Sequence, residues 1–339
     1  MKMYRRLVCV ALVLTLIVVV FGAYVRLSDA GLGCPDWPGC YGQVSPAHAE
    51  PAISAAASLS PNGPVTLPKA WKEMIHRYLA ASLGLLILII AILAIRERRD
   101  PRVRAGVAVL LVGVVIFQGL LGKWTVTLLL KPAIVTGHLI GGLTTLGLLA
   151  YLALQAAGLQ RHAVRGGVIR LARVGLLLVI AQIVLGGWTS TNYAALACSD
   201  FPTCHGSWWP SMDFANAFHV VRELGMAPNG ELLSFDALTA IHWTHRIGAL
   251  FVTAGLLVLV RALFGAGFGA MGGLVLIALA AQIGLGIANV MLHLPLALAV
   301  AHNAGAAVLL LVLVMVNTRL VSNRPWGWAG ERKNENAYA

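Results

Sequence analysis

Charged residues are scarce in this sequence: they account for 11% of 339 residues, whereas 59% are hydrophobic. The mean hydropathy is +0.81. Soluble globular domains carry about a quarter of their residues as charged side chains, so this composition excludes that class and predicts a polytopic membrane protein. Acidic residues are the rarer charged group, with 13 Asp and Glu against 25 Lys and Arg. Cysteine is rare too: only Cys9 of the five lies in an apolar run, where a small packing residue is expected.

Apolar runs of about 20 residues, the length that crosses the hydrocarbon core as a helix, occur eight times. They lie near residues 7–26, 72–95, 105–125, 132–156, 170–190, 238–260, 270–291 and 296–318. The first run resembles a signal peptide, but it is longer than a typical signal core and no small-residue cleavage site follows it closely. We predict that it is retained as the first span. The predicted fold class is an all-α polytopic membrane protein with eight transmembrane helices.

The net charge of +12 could indicate nucleic acid binding, but the basic residues are concentrated in alternate connections. By the positive-inside rule, both termini are predicted to be cytoplasmic, and residues 28–70 and 191–237 to face outward. No nucleic acid partner is expected. The 17 basic residues assigned to the cytoplasmic side are Lys2, Arg5, Arg6, Arg96, Arg98, Arg99, Arg102, Arg104, Arg161, Arg165, Arg170, Arg173, Arg261, Arg319, Arg324, Arg332 and Lys333.

Three features of the first half return in the second half at an offset of 164 or 169 residues. They are a His-Arg pair in an apolar run, a Gln twenty residues before a His, and two cysteines separated by five residues. The residues concerned are His76-Arg77 and His245-Arg246, Gln118 with His138 and Gln282 with His302, and Cys34 with Cys40 and Cys198 with Cys204.

This repeat predicts two tandem four-helix bundles. Because four is even, both bundles insert in the same orientation, related by a pseudo-twofold axis along the membrane normal. The predicted organisation is an amino-terminal unit (residues 1–157), a cytoplasmic connection (158–173), a carboxyl-terminal unit (174–320) and a cytoplasmic tail (321–339). Residues 44–66, rich in Ala, Ser and Pro, are predicted to be an irregular outer segment.

Four histidines occupy equivalent depths, each about five to seven residues inside the outer end of a span: His76, His138, His245 and His302. Polar groups inside a membrane usually face the bundle interior. Two imidazoles that face each other across a bundle can hold a porphyrin iron from both sides. The alternative for each histidine is an interhelical hydrogen bond. A metal ion without a porphyrin fits less well, because two histidines per unit are too few for a closed zinc site.

The residues around the histidines have two interpretations each. Arg77 and Arg246 could bind the carboxylates of a porphyrin or extend to water at the membrane surface. His242 occupies the position of Glu73 in the repeat and is either a supporting or an interfacial residue. The remaining histidines are predicted to lie in loops: His48, His162, His205, His219 and His293. Glycines near the histidines could make room for a flat macrocycle or allow close helix packing: Gly119, Gly122, Gly137, Gly141, Gly142, Gly186, Gly187, Gly284 and Gly286.

The chain resembles the bacterial heme A synthase family over nearly its whole length. The motifs that carry the resemblance are Gly22-Ala-Tyr-Val-Arg-Leu, Cys34-Pro-Asp-Trp-Pro, Glu73-x-x-His76-Arg77, Gly186-Gly-Trp-Thr-Ser-Thr-Asn-Tyr-Ala-Ala and Ala301-His302-Asn303. The resemblance implies that the protein converts heme O to heme A by oxidising one ring methyl to a formyl group in two successive steps. It also implies a heme b in the carboxyl-terminal unit, a substrate site in the amino-terminal unit and an essential glutamate at position 73.

From these observations, His76 and His138 are predicted to bind the iron of heme O, and His245 and His302 that of heme b. Glu73 is predicted to be catalytic because it shares a helix face with His76 and because the repeat has His242, not a second carboxylate, at its position. The alternative for Glu73 is a favourable interaction with the helix dipole. In the outer loops, where an oxidising compartment permits disulfides, Cys34 is predicted to pair with Cys40 and Cys198 with Cys204; four cysteines allow three pairings.

Other functions fit parts of the pattern. A di-heme b-type membrane cytochrome would also need paired histidines but usually sets its hemes at two depths, and thiol oxidation could use the cysteine pairs. A transporter on a parallel repeat would need broken spans and charges at mid-membrane, which are not evident. The expected location is the bacterial inner membrane. The partners considered are heme O, membrane lipid, a heme O synthase, an electron acceptor of unknown identity and a second copy of the chain.

Overall fold

A computed structural model describes residues 1–60 and 63–322. Its ten helices and two short strands are α1 (Lys2–Leu27), α2 (Glu50–Leu59), α3 (Leu67–Arg96), α4 (Ala105–Thr127), α5 (Pro132–Ala156), β1 (His162–Val164), α6 (Gly166–Thr191), α7 (Phe214–Ala217), α8 (Phe235–Gly265), α9 (Gly269–Met291), α10 (Leu296–Arg319) and β2 (Leu320–Ser322). Every helix except α2 and α7 is long and apolar enough to cross a membrane. The prediction of an all-α fold with eight spans is therefore confirmed.

The second and sixth spans begin earlier than their hydropathy indicates. Helix α3 starts at Leu67, where the Thr66 side chain accepts a hydrogen bond from the Lys69 N–H. Helix α8 starts after Ser234, whose side chain accepts from the Ala237 N–H. Such caps satisfy the free N–H groups of a first turn, so each helix extends beyond its apolar run. Glu73 is therefore the seventh residue of its helix, beyond the first turn in which the helix dipole acts on a charge.

The buried apolar side chains form two main clusters. One cluster joins α1, α3, α4 and α5, with Tyr4, Ile87 and Leu152 among its fully buried members. The other joins α6, α8, α9 and α10 around Leu256 and Leu313. Most of the large exposed side chains on the spans are aliphatic, as expected for surfaces that face lipid tails. The twofold relation between the units stays a prediction.

Helices α5 and α10 pack against each other and connect the two groups of helices. Leu143 and Leu146 of α5 contact Ala307 and Leu310 of α10 in a separate buried cluster. At the end of α1, Arg26 Nη1 donates to the Tyr193 hydroxyl at 2.8 Å. Side chains from both halves of the chain therefore meet between the long helices and at one end of them.

Three local predictions are wrong. Residues 50–59 of the segment predicted to be irregular form α2, because the sequence Glu-Pro-Ala-Ile-Ser-Ala-Ala-Ala-Ser-Leu favours a helix and Ile53 is buried against the first disulfide loop. His162, predicted to lie in a loop, is in β1, which pairs in parallel with β2 (residues 320–322). Of the predicted tail, residues 323–339 lie outside the described residues. Cys9 is exposed because the buried face of α1 carries Tyr4, Val8 and Ala11.

Candidate functional site

Two histidines face each other in the amino-terminal unit. The imidazole centroids of His76 on α3 and His138 on α5 are 6.5 Å apart, and the ring planes make an angle of 81°. An imidazole nitrogen lies about 2.0–2.1 Å from a transition metal that it ligates, so two axial imidazoles on one iron have their centroids about 6 Å apart. Both Nδ1 atoms are buried and have no hydrogen-bond partner among the described residues. This pair therefore fits a porphyrin iron held from both sides.

Each of the four histidines packs its ring against a glycine of a neighbouring helix. A Cβ atom added to Gly22 would lie 2.8 Å from His76 Cε1, and one added to Gly186 would lie 3.1 Å from His245 Cε1. The same contact occurs between Gly122 and His138 at 3.3 Å and between Gly286 and His302 at 3.1 Å. These glycines leave the space that the imidazole edges occupy. Gly186 and Gly286 follow Gly22 and Gly122 by 164 residues. This repeat could have indicated, from the sequence, which glycines accompany the histidines.

The other glycines serve different neighbours. Gly141 lies against the Gln118 side chain, and Gly187 lies against Thr136 and Leu139 of α5. A Cβ at Gly119 or Gly284 would meet no atom within 4 Å in the described structure. Close helix packing suits Gly187, whereas Gly119 and Gly284 lie on exposed helix surface and fit neither interpretation.

Glutamine amides contact three of the histidines. Gln118 Nε2 donates to the His138 carbonyl at 2.8 Å, and Gln282 Nε2 lies 3.4 Å from His302 Nε2. Gln182 Nε2 donates to the His245 carbonyl at 2.9 Å and lies 3.1 Å from His245 Nδ1. The repeat did not indicate Gln182, because the repeat position in the first unit is Val18. The histidine environment of α8 is therefore more polar than that of α3.

Glu73 is buried, and both of its carboxylate oxygens have partners. The Cys34 N–H donates to Oε2 at 2.9 Å, and Arg77 Nη2 donates to Oε1. Its side chain therefore ties α3 to the first outer loop. This contact is a structural role that the sequence did not reveal.

His242 makes the corresponding contacts in the second unit. The Cys198 N–H donates to His242 Nδ1 at 3.2 Å, and Arg246 Nε lies 3.3 Å from His242 Nε2. A carboxylate and an imidazole thus hold equivalent loops in the same way. His242 is a supporting residue of this kind and not an interfacial one, since it is buried.

Arg77 and Arg246 also hold the outer loops. Arg77 Nη1 donates to the Asp36 carbonyl at 2.9 Å, and Arg246 donates to the carbonyls of Thr203 at 2.7 Å and Cys198 at 2.8 Å. A guanidinium has five N–H donors, so each arginine can keep these bonds and still bind a carboxylate. Their predicted role toward a porphyrin stays a prediction.

Each outer loop contains one disulfide, as predicted. Cys34 pairs with Cys40, and Cys198 pairs with Cys204, with Cα atoms 4.9 Å apart in both. Within the second loop, the Thr203 hydroxyl and the backbone N–H groups of Gly206 and His205 donate to Asp200 and hold the pKa of its carboxyl well below the usual range. Each loop is therefore a compact cap attached to a histidine-bearing helix.

We expect replacement of Cys34 and Cys40 by serine to destabilise the protein only modestly. The disulfide closes a short ring, so it should contribute less than the ~3 kcal/mol expected for a loop of fifteen residues, and Glu73 still holds the loop. Thermal unfolding of this variant, with the matching Cys198 and Cys204 double variant beside it, measures the effect. Peptide mapping of the unreduced protein checks the pairing, and a Cys34 to Cys198 link would contradict it.

The described residues contain no cluster of three or more His, Cys, Asp or Glu side chains that could hold a bare metal ion. What they contain is a facing histidine pair and its counterpart in the second unit. A porphyrin, which supplies four of the iron ligands itself, needs only such a pair.

Comparison with known proteins identifies the family. Residues 5–314 match the family described as COX15-CtaA, cytochrome oxidase assembly protein. The chain is 45% identical to the heme A synthase of Shewanella oneidensis over 289 residues, which cover 84% of this chain and 86% of that protein. It is 30% identical to the heme A synthase of Halalkalibacterium halodurans, over 73% of this chain and 76% of that one. The chain therefore belongs to the heme A synthase (COX15-CtaA) family.

Proposed function

We propose that this protein is a heme A synthase, an oxidoreductase that converts a ring methyl of heme O to a formyl group in two successive oxidation steps. The observation that carries the proposal is the facing pair of His76 and His138 with Glu73 on the same helix, in a chain 45% identical to a heme A synthase. Eight apolar helices and bacterial relatives support a multi-pass protein of the inner membrane. The basic residues are concentrated in the connections on the same side as both termini, which supports cytoplasmic termini.

The amino-terminal unit binds the substrate in this proposal. His76 and His138 hold the iron of heme O, and Glu73 acts at the methyl group that is oxidised. Because Glu73 lies three residues before His76 on α3, its carboxylate is beside the ring edge and not over the iron. A carboxylate there can accept the proton that leaves an oxidised carbon or stabilise positive charge on it.

The carboxyl-terminal unit holds heme b through His245 and His302. These two histidines would hold heme b, which would supply electron transfer when bound. The glycine contacts of both histidines and the Gln182 amide keep the two rings in place. The same contacts support a fixed cofactor in this unit. Arg77 and Arg246, at the outer ends of the ligand helices, bind the carboxylates of the two hemes.

The test of this function is production of heme A in cells. The chain would be expressed in a bacterium that makes heme O but no heme A, and the extracted hemes would be separated by chromatography. We expect heme A to appear, with an alcohol intermediate as a minor product. A preparation that binds two hemes reversibly and leaves heme O unchanged would favour a di-heme cytochrome and contradict the proposal. Heme O comes from the heme O synthase of the host, and the electrons removed from the methyl group pass to an electron acceptor of the host; these two are the partners that the reaction needs.

We expect Gly22→Ala to lower heme A production several-fold. Its Cβ would lie 2.8 Å from His76 Cε1, closer than real Cβ contacts allow, so the imidazole must shift from its position opposite His138. Gly113→Ala on α4 is the control, because a Cβ there meets no atom within 4 Å. Equal heme A production by the two variants would show that the glycine does not position His76.

A further inference from the structure

A second candidate site lies at the end of the bundle opposite the disulfide loops. A cavity of about 230 Å³ opens where the connection between α3 and α4, the end of α5, the segment before β1 and the end of α10 meet. Four arginines line it: Arg102, Arg104, Arg161 and Arg319. We call this the basic cavity. None of its lining residues is acidic.

The arginines of the basic cavity are only partly neutralised. Arg102 forms an ion pair with Asp100 at 2.8 Å, and Arg161 donates to the neutral Gln155 amide oxygen at 2.7 Å. The Nε atoms of Arg104 and Arg319 are buried and have no acceptor among the described residues. A buried donor without an acceptor is unfavourable, and more so when it is charged. The two guanidinium groups therefore favour an anion that accepts from both.

The backbone adds to this preference. Arg104 is the N-cap residue of α4, and its side chain does not cap the helix. The N-terminus of a long helix carries a partial positive charge and free N–H groups, both of which favour an anion. Arg319 comes from the other end of the chain, at the last residue of α10. A ligand in the basic cavity would therefore contact both units.

We propose that the basic cavity binds the phosphate of an anionic phospholipid headgroup. Guanidinium groups bind phosphate oxygens in pairs and with matched geometry. The cavity lies at the ends of spanning helices, at the level of lipid headgroups, and basic pockets between such helices bind anionic lipids. Its volume is below the roughly 300–1,000 Å³ of sites for drug-sized ligands, which suits a single headgroup and excludes a porphyrin. The lipid links the two units at the face away from the hemes.

The test uses the purified full-length protein in a neutral detergent. Phosphatidylglycerol is titrated in, with phosphatidylcholine and inorganic phosphate in parallel, and bound lipid is counted by native mass spectrometry while Tm is followed. We expect phosphatidylglycerol to bind and to raise Tm. The Arg104→Gln/Arg319→Gln variant should bind it at least tenfold more weakly. Arg98→Gln/Arg99→Gln, which removes two exposed arginines of the same connection outside the cavity, should bind like the unaltered protein.

Three outcomes would overturn the proposal. The first is that both double variants bind phosphatidylglycerol equally well, and the second is that phosphatidylcholine binds as well as phosphatidylglycerol. The third is that inorganic phosphate raises Tm as much as phosphatidylglycerol does, which would assign the cavity to a soluble anion. If the glutamine variant does not fold, Arg104→Lys/Arg319→Lys keeps the charge and loses the paired geometry, and it should bind severalfold more weakly. The readout is lipid binding, so it does not depend on whether the protein makes heme A.

Discussion

Replacing Glu73 with histidine should give a folded protein that makes little or no heme A. The substitution reproduces the arrangement of the second unit, where His242 accepts the Cys198 N–H and lies beside Arg246. A histidine at position 73 can therefore hold the first disulfide loop in the same way, through the Cys34 N–H and Arg77. What it removes is the negative charge of the carboxylate. Loss of one group that stabilises charge in a transition state costs about 10²–10³-fold in rate, and we expect a loss of this size.

This exchange separates two roles of Glu73 that alanine would remove together. Glu73→Ala should also fold, keep the heme of the carboxyl-terminal unit and make little heme A, but it leaves the Cys34 N–H and Arg77 without their partner. Glu73→Gln keeps an acceptor for the Cys34 N–H and removes the charge, so we expect it to be as inactive as Glu73→His. The control is His242→Gln, which changes the equivalent anchor of the other unit and should leave most heme A production intact.

Extracted hemes, the heme b spectrum and disulfide mapping are measured on the same preparations. Near-normal heme A in Glu73→Gln, with the loop disulfide and heme b in place, would show that Glu73 serves only to hold the loop. An accumulated alcohol intermediate would instead show that the carboxylate acts mainly in the second oxidation step. Interaction with the helix dipole no longer explains this residue, because Glu73 is the seventh residue of α3.

Replacing His302 with alanine should abolish the bis-histidine heme b spectrum of the purified protein and its heme A production. His302 and His245 are the histidines of the carboxyl-terminal unit that carry a glycine contact and a neighbouring glutamine. Loss of one of two axial ligands leaves the iron with an open position and changes its spin state. His138→Ala, the variant at the repeat position, should lose heme A production and keep the heme b spectrum.

The heme content per chain, the absorption spectrum of the reduced protein and the midpoint potential check this assignment. His293→Ala is the control, because His293 is an exposed residue of the turn after α9 and should leave both properties unchanged. A stoichiometric bis-histidine spectrum in His302→Ala would assign heme b to other ligands. If His138→Ala rather than His302→Ala lost that spectrum, the roles of the two units would be exchanged.

The spans and the ligand candidates could be predicted from the sequence because both depend on local pattern. A run of apolar residues crosses a membrane whatever its neighbours are, so eight helices follow from composition and length. The repeats at 164 and 169 residues indicated the paired histidines without knowledge of their contacts. The pairing of Cys34 with Cys40 followed because both lie in one short outer loop, where they are close along the chain.

Only the tertiary structure determines which groups these residues contact. Glu73 and the Cys34 N–H are 39 residues apart, and no local pattern indicates which oxygen meets which donor. Helix α2 was missed because the Ser and Pro residues of its segment were taken to indicate a loop, although its alanines favour a helix and Ile53 is buried. The pairing of β1 with β2 and the basic cavity both join segments that are far apart along the chain. Residue spacing therefore identified the candidate ligands and the candidate catalytic group. Helix packing determined which groups contact each of them, because those contacts depend on which faces of distant helices meet.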